Sequence, residues 1–153
     1  MVSSFLEKIN VLKNLFQTCS TNEARYQKIM EAGKTLPFFP EHWKCHAALV
    51  PGCQSVMYLH TTYENGLLTF AAASDALISA GLAALLIQIY NEESPELVLK
   101  HPPIFLQEFG IIESLSPSRA NGVTSLYVKM KQEALHMIVQ QTKSPSHILP
   151  LQG

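Results

Sequence analysis

The chain is poor in charged residues. Only 15% of its 153 residues are Asp, Glu, Lys or Arg, and its net charge at pH 7 is −1; about a quarter of an ordinary globular domain is charged. Such a balance gives no basic surface of the kind that nucleic-acid binding needs, so no nucleic-acid partner is expected. Low charge together with 47% hydrophobic residues leaves apolar surface to cover, which favours a protein partner.

Membrane-spanning runs and a leader pattern are also missing. The longest apolar run, residues 76–90, is interrupted by Ser79, Gly81 and Gln88 and is shorter than the roughly 20 residues that a membrane span needs. It predicts a buried helix instead, and no membrane association is expected. The first residues lack the basic and then apolar pattern of a secretory signal. Three cysteines, an odd number, fit a reducing compartment, so a cytoplasmic protein is expected.

Apolar spacing and cap residues predict most of the helices. A first helix carries Phe5 and Phe16 on one face. A capping box of Ser20 and Glu23 predicts a second helix, which Gly33 ends. Three later helices have their own starting signals: Ser74 before the buried run, Ser94-Pro95 before a short helix, and Ser116-Pro117 before the last one.

Strand-like runs predict a small sheet between these helices. Residues 56–60 and 67–71 flank Asn65-Gly66, a strong hairpin signal. Residues 44–50 are expected to add a third strand. The fold class predicted is therefore α+β, with a small antiparallel sheet of about three strands and packed helices. Residues 1–143 are expected to form a single domain and residues 144–153 a loose C-terminal tail.

Cys53 is the residue best placed for chemistry. It follows Gly52 at the junction of a loop and a predicted strand, where glycine permits a close approach and unusual backbone angles. A sulfur nucleophile needs thiolate character and access, but no Lys or Arg is adjacent to Cys53 in sequence. Any activating charge must then come from the fold or from a partner. Local sequence alone leaves a functional thiol and a buried structural cysteine as equal alternatives.

A set of motifs in a fixed order narrows these alternatives. They are Arg25-Tyr26, Leu36-Pro37, Gly52-Cys53-Gln54-Ser55, Ser74-Asp75-Ala76 leading into Gly81-Leu82, Ser116-Pro117-Ser118-Arg119, and Asn121-Gly122. In this order and spacing the chain resembles the SufE-like family, which includes SufE and its paralogue CsdE, from about Arg25 to the last helix. Members of that family are sulfur acceptors and activators of cysteine desulfurases.

The resemblance implies a fold like that of the IscU scaffold and a role for Cys53. This thiol would accept sulfane sulfur from the persulfide of a pyridoxal-phosphate-dependent, SufS-like desulfurase and pass it toward an iron–sulfur scaffold. No metal or cofactor is required on this chain, which would be a persulfide carrier accessory to the desulfurase rather than an independent enzyme. The oligomeric state stays open, a homodimer included.

Several residues are expected to support Cys53. They are Gly52, Gln54, Ser55, Asp75 and Arg119. Asp75 is expected at the start of the buried helix, where a carboxylate complements the positive helix end. Arg119 lies in the first turn of the last helix, where a cation is slightly unfavourable, so a carboxylate partner or a role near the thiol is expected.

Three positions depart from the family pattern. Ala48 replaces a common Asn, Ala73 replaces a frequent acidic residue, and Tyr58 replaces a common Trp. Tyr58 keeps an aromatic body, whereas the two alanines remove polar groups near the expected loop. Loop anchoring or partner choice could differ for this reason.

Two other kinds of function stay open. A zinc- or cluster-binding scaffold or regulatory module would use Cys45, His46 and Cys53, with His42 nearby, although their spacing matches no common zinc pattern. An interaction-only regulator would bind the desulfurase without taking sulfur. The sequence has no Ser-His-Asp ordering, phosphate-cradling glycine loop or carboxylate pair that would indicate a hydrolase or a kinase.

Overall fold

The computed structural model describes residues 2–143, so the expected tail over residues 144–153 lies outside the described residues. The regular elements of the described part are helix α1 (Val2–Gln17), helix α2 (Asn22–Gly33), strand β1 (Met57–Glu64), strand β2 (Leu67–Ser74), helix α3 (Leu77–Tyr90), helix α4 (Pro95–Lys100), helix α5 (Phe105–Glu108) and helix α6 (Pro117–Lys143). Short 3₁₀ turns lie at Glu41–Trp43, His46–Ala48 and Ile112–Ser114. The predicted α+β class is confirmed.

The hairpin forms where the sequence predicts it. Strands β1 and β2 pair antiparallel from Met57 opposite Ser74 to Glu64 opposite Leu67. Asn65 and Gly66 between them have φ values of 54° and 79°, the two positive values that a tight type I′ connection requires. One face of the hairpin is therefore fixed toward the core.

The predicted third strand is wrong. Within residues 2–143 the sheet has two strands, and residues 44–50 contain the 3₁₀ turn His46–Ala48 with a single bridge from Leu49 to Tyr58. A tight turn in the middle of this segment prevents the extended backbone that a ladder needs. The Val50 N–H still donates to the Met57 carbonyl at 2.9 Å, so this segment closes against the start of β1.

Helix α3 is the centre of the core. Eleven of its fourteen residues are buried, as an apolar run without a polar face predicts. Helix α2 packs very closely on it: a Cβ at Gly81 would lie 2.0 Å from the Ile29 carbonyl oxygen. Only a glycine at position 81 permits this separation of the two helices.

Two predicted helix starts are wrong by one residue. Thr21, not Ser20, caps α2, because its extended backbone lets its hydroxyl accept the Ala24 N–H at 3.0 Å. Helix α3 begins at Leu77 with Ala76 as its cap residue, and the Ser74 hydroxyl accepts the Ala76 N–H at 3.3 Å ahead of it.

The later helices follow their predicted caps. Ser94 accepts the Leu97 N–H at 3.2 Å at the start of α4, and Ser116 accepts the Arg119 N–H at 3.3 Å at the start of α6. Helix α6 packs against α4, where the Tyr127 hydroxyl donates to the Val98 carbonyl at 2.7 Å. This contact fixes the first half of α6 against α4. None of the helices over residues 2–143 combines the length and apolar character of a membrane span.

Candidate functional site

The segment that carries Cys53 is a tight loop over residues 50–56, called here the thiol loop, between the 3₁₀ turn His46–Ala48 and β1. Gly52 has φ of +79°, the left-handed region in which a side chain is strained. A Cβ on Gly52 would also lie 2.9 Å from the Ser125 hydroxyl oxygen of α6. Glycine is therefore needed at position 52 for two reasons, backbone angle and close approach to α6.

The Cys53 side chain is half-buried against α6. A Cβ at Gly122 would lie 3.2 Å from the Cys53 sulfur, and no other atom beyond the adjoining backbone of α6 would come within 4 Å of it. The sulfur borders a cavity of about 10 Å³ between the thiol loop, α3 and α6, which is about the space of one water molecule. The fold thus holds the thiol in a fitted recess with little free volume.

Burial raises the pKa of the Cys53 thiol above its ordinary value. A hydrogen bond from the Ser55 backbone N–H opposes this with a smaller lowering effect. Since the thiolate is the reactive form, this burial disfavours the reactive state of the Cys53 thiol.

Ser55 links the thiol loop to the core helix. The Ser79 hydroxyl on α3 donates to the Ser55 hydroxyl oxygen at 3.2 Å. Gln54 lies exposed on the rim of the same cavity. The structure thus places four of the expected residues together: Gly52, Cys53, Gln54 and Ser55.

Arg119 also borders the cavity. It is exposed in the first turn of α6, and among the ion pairs of the described residues none involves Arg119. The carboxylate partner expected for Arg119 is therefore not found in the part of the chain described. The expected position of Arg119 near the thiol is found. A free guanidinium at this rim can interact with an incoming anion or thiolate.

Asp75 lies elsewhere. It directly precedes the cap residue Ala76 at the start of α3, and it lines a separate cleft that also contains Lys44, Val56 and Tyr58. The cavity at Cys53 does not include it. Tyr58 packs on Phe39 with ring centroids 6.3 Å apart, so the aromatic body expected at this position lies against another aromatic ring.

The alternative metal site is not assembled. Across residues 2–143 no three His, Cys, Asp or Glu side chains converge in a way that could hold a metal ion. Cys45 is exposed, whereas Cys53 is half-buried against α6. The alternative grouping of Cys45, His46 and Cys53 is therefore not found among the described residues.

Three residues that form the recess were not assigned to the site from the sequence, although Gly122 belongs to one of the family motifs. Ser79, Gly122 and Ser125 contact the thiol loop from α3 and α6. The signals in the sequence were a lone hydroxyl in an apolar run and two small residues three apart on one helix face. The spacing of small residues permits close packing, but does not say which segment packs there.

Comparison with known proteins assigns the family. A protein-family model described as "SufE: Fe-S metabolism associated domain" matches residues 10–134 of this chain. The cysteine desulfuration protein SufE of Wigglesworthia glossinidia brevipalpis is 29% identical over 142 residues, which cover 92% of this chain and 98% of that protein. The sulfur acceptor protein CsdE of Escherichia coli is 32% identical over 117 residues, covering 75% and 80% of the two chains.

A solved structure agrees with the fold. The solution structure of a hypothetical protein from Thermus thermophilus superposes with a TM-score of 0.73 at 25% identity, covering 86% of this chain and 96% of that one. The family match extends over most of the chain and includes the thiol loop, α3 and the first half of α6. The chain belongs to the SufE family.

Proposed function

We propose that this protein is a sulfur acceptor that takes sulfane sulfur on Cys53 from a cysteine desulfurase and relays it for iron–sulfur cluster assembly. The proposal is supported by the family's link to iron–sulfur metabolism and by relatives named for cysteine desulfuration and sulfur acceptance. The observation that carries it is the recess at Cys53, in which a single thiol is held by a glycine turn of positive φ against a helix.

The transfer needs only one thiol on this chain. The Cys53 sulfur, as thiolate, attacks the terminal sulfur of the desulfurase persulfide. The S–S bond of the donor breaks, its electron pair stays on the donor sulfur, and that thiolate takes up the proton which Cys53 lost. The sulfane sulfur keeps its oxidation state, so no oxidant, metal or cofactor is consumed. The rate depends on the thiolate fraction of Cys53 and on the pKa of the leaving donor thiol.

The free protein holds Cys53 in a resting state. Half-burial and a raised pKa lower the thiolate fraction, and the recess of about 10 Å³ gives no room for a second protein's persulfide. Docking must therefore draw the thiol loop away from α6, a gating motion of the kind common in loops that cover reactive groups. Arg119 on the rim would then face the anionic sulfur.

Exposed apolar side chains at the end of the thiol loop, on α3 and in the segment before β1 are candidates for docking. Val56, at its end, and Leu77, two residues before Ser79 on α3, are 48% and 65% exposed. Phe38 is 86% exposed, whereas its neighbour Phe39 is buried and packs on Trp43. Large apolar residues at a surface of low charge are typical of the core of a protein–protein interface.

Mass spectrometry after incubation with a cysteine desulfurase, its pyridoxal phosphate and cysteine tests the proposal. Wild type and the control Cys45→Ser, which removes an exposed thiol, should each gain the mass of one sulfur atom on the peptide that contains Cys53. Cys53→Ser should gain none, should not stimulate the desulfurase, and should keep the circular dichroism spectrum of the wild type.

Other outcomes contradict the proposal in distinct ways. Sulfur on Cys45, or full stimulation by Cys53→Ser, would show that Cys53 is not the acceptor. Stimulation by the wild type without any sulfur gain would indicate an interaction-only regulator. Leu77→Asp separates docking from acceptance: it should weaken stimulation while a small-molecule persulfide still loads Cys53.

The proposed compartment is the reducing cytosol, and the proposed domain extends over residues 1–143. All three cysteines are unpaired, which is the state that a reducing compartment maintains. A free Cys53 is also a condition for accepting sulfur.

A further inference from the structure

Ser79 is a buried hydroxyl in the most apolar helix of the molecule. Ser79 is 8% exposed and lies between Ile78 and Ala80 near the start of α3. A hydroxyl taken out of water must find a hydrogen-bond partner or lose free energy. The partner in this structure is the Ser55 hydroxyl oxygen, 3.2 Å away and 24 residues distant in the chain.

Ser55 connects this hydrogen bond to the thiol. Its side chain accepts from Ser79, and it lies two residues after Cys53 on the border of the same cavity. The thiol loop is therefore joined to α3 through the Ser55 side chain. Holding Ser55 in place restrains the short segment of backbone that carries Cys53.

The other contacts of the loop are of different kinds. At its start, the Val50 N–H donates to the Met57 carbonyl, a bond between two ends of the loop that can persist when the tip moves. Against α6 the loop makes close packing contacts, at Gly122 and Ser125. Among the side-chain hydrogen bonds of the described residues, the Ser79 bond alone joins the loop to another element.

We propose that Ser79 is a positioning residue that holds the thiol loop closed and thereby sets how readily Cys53 becomes accessible. The importance of Ser79 for sulfur transfer rests on the function proposed above. If Cys53 reacts only after the thiol loop opens, the hydrogen bond from Ser79 controls how often that opening occurs. Ser79 itself touches neither the sulfur donor nor the transferred sulfur.

The expected effect follows from the loss of one neutral hydrogen bond. Ser79→Ala removes the donor, while the half-buried Ser55 hydroxyl can turn toward water. The net strength of such a bond corresponds to about a three- to tenfold change in the opening equilibrium. Alkylation of Cys53 by iodoacetamide in the free protein should become faster by the same factor.

The experiment follows alkylation of all three cysteines by peptide mass spectrometry. Cys45 is exposed and gives an internal reference for reagent activity, so its rate should be equal in every variant. Ser114→Ala is the matched control: it removes another buried hydroxyl, 4% exposed and bonded to the Ile111 carbonyl at 2.7 Å. It should change stability without changing the rate at Cys53.

The pH profile of Cys53 alkylation and a Ser55/Ser79 double variant distinguish a positioning role of Ser79 from an electrostatic one. Faster opening raises the Cys53 rate by one factor across the pH range, whereas a purely electrostatic effect would move the midpoint of the profile. Ser55→Ala should accelerate alkylation as Ser79→Ala does, and the double variant should be no faster than either single one, because both remove the same bond.

The inference fails if Ser79→Ala leaves the Cys53 rate at its wild-type value, if Ser114→Ala accelerates it equally, or if the two serine variants act additively. These measurements use the protein alone. They therefore decide the role of Ser79 even where the desulfurase experiment shows no sulfur on Cys53, and a failure here leaves the acceptor experiment intact.

Discussion

Replacing Gly122 by Ala tests the contact between Cys53 and α6, because two opposing effects meet at this position. An alanine in the interior of α6 stabilises the helix by about 1 kcal/mol relative to glycine. The new methyl carbon would lie 3.2 Å from the Cys53 sulfur, its one close contact beyond the adjoining helix backbone. Ordinary contacts between such atoms begin at about 3.5 Å, so the sulfur must move outward by a few tenths of an ångström.

The sulfur can make this movement because it belongs to a loop. We expect Gly122→Ala to leave the free energy of unfolding within about 1 kcal/mol of the wild type, the helix gain offset by the displaced loop. In a Cys53→Ala background the obstructing sulfur is absent, so the same change should stabilise the protein by the full helix contribution, about 1 kcal/mol.

The wild type, Gly122→Ala, Cys53→Ala and the double variant form a double-mutant cycle. Their free energies of unfolding in urea measure the coupling between positions 53 and 122, and the rate of alkylation by iodoacetamide measures the accessibility of the thiol. Gly122→Ala should raise the alkylation rate of Cys53 and leave that of Cys45 unchanged. An identical change in unfolding free energy in both backgrounds, with an unchanged Cys53 rate, would refute the placement of the sulfur against α6.

Two further predictions concern the thiol and the core. The pH profile of Cys53 alkylation in the folded protein should have its midpoint above the ordinary thiol range, because burial disfavours the thiolate and raises the pKa of Cys53. In urea, where the chain is unfolded, the midpoint should fall. A midpoint in the folded protein at or below the value in urea would contradict the burial of the thiol. Gly81→Ala should destabilise the fold by about 3 kcal/mol or more, because its methyl group would lie 2.0 Å from the Ile29 carbonyl oxygen. Thermal unfolding measures this loss. A melting temperature equal to that of the wild type would show that α2 and α3 are not so closely packed.

The features that the sequence predicted well are local ones. Asn65-Gly66 forms the hairpin turn because both residues adopt positive φ at low cost. Ser94 and Ser116 begin helices because a hydroxyl one position before proline can accept a free backbone N–H of the first turn. Such interactions involve residues within a few positions of each other, so a pattern in the chain specifies them.

Errors occurred where neighbouring residues offered similar local energies. Ser20 and Thr21 are both capping residues, and the backbone direction into α2 selects Thr21. Residues 44–50 have apolar content suitable for a strand, but the turn at His46–Ala48 follows from how this segment meets β1. Asp75, expected at the start of the buried helix, directly precedes the cap residue Ala76 but lines a cleft separate from Cys53.

By itself, the sequence determined the α+β class and the hairpin and indicated Cys53 as the candidate thiol, because a glycine-cysteine turn within ordered family motifs is a property of the chain. Only the tertiary structure decided what surrounds that thiol. Gly122 and Ser79 lie 69 and 26 residues beyond Cys53 in the numbering, and α6 and α3 bring them to the loop. The half-burial of Cys53 thus depends on contacts between distant segments, which form only when the helices pack around the core.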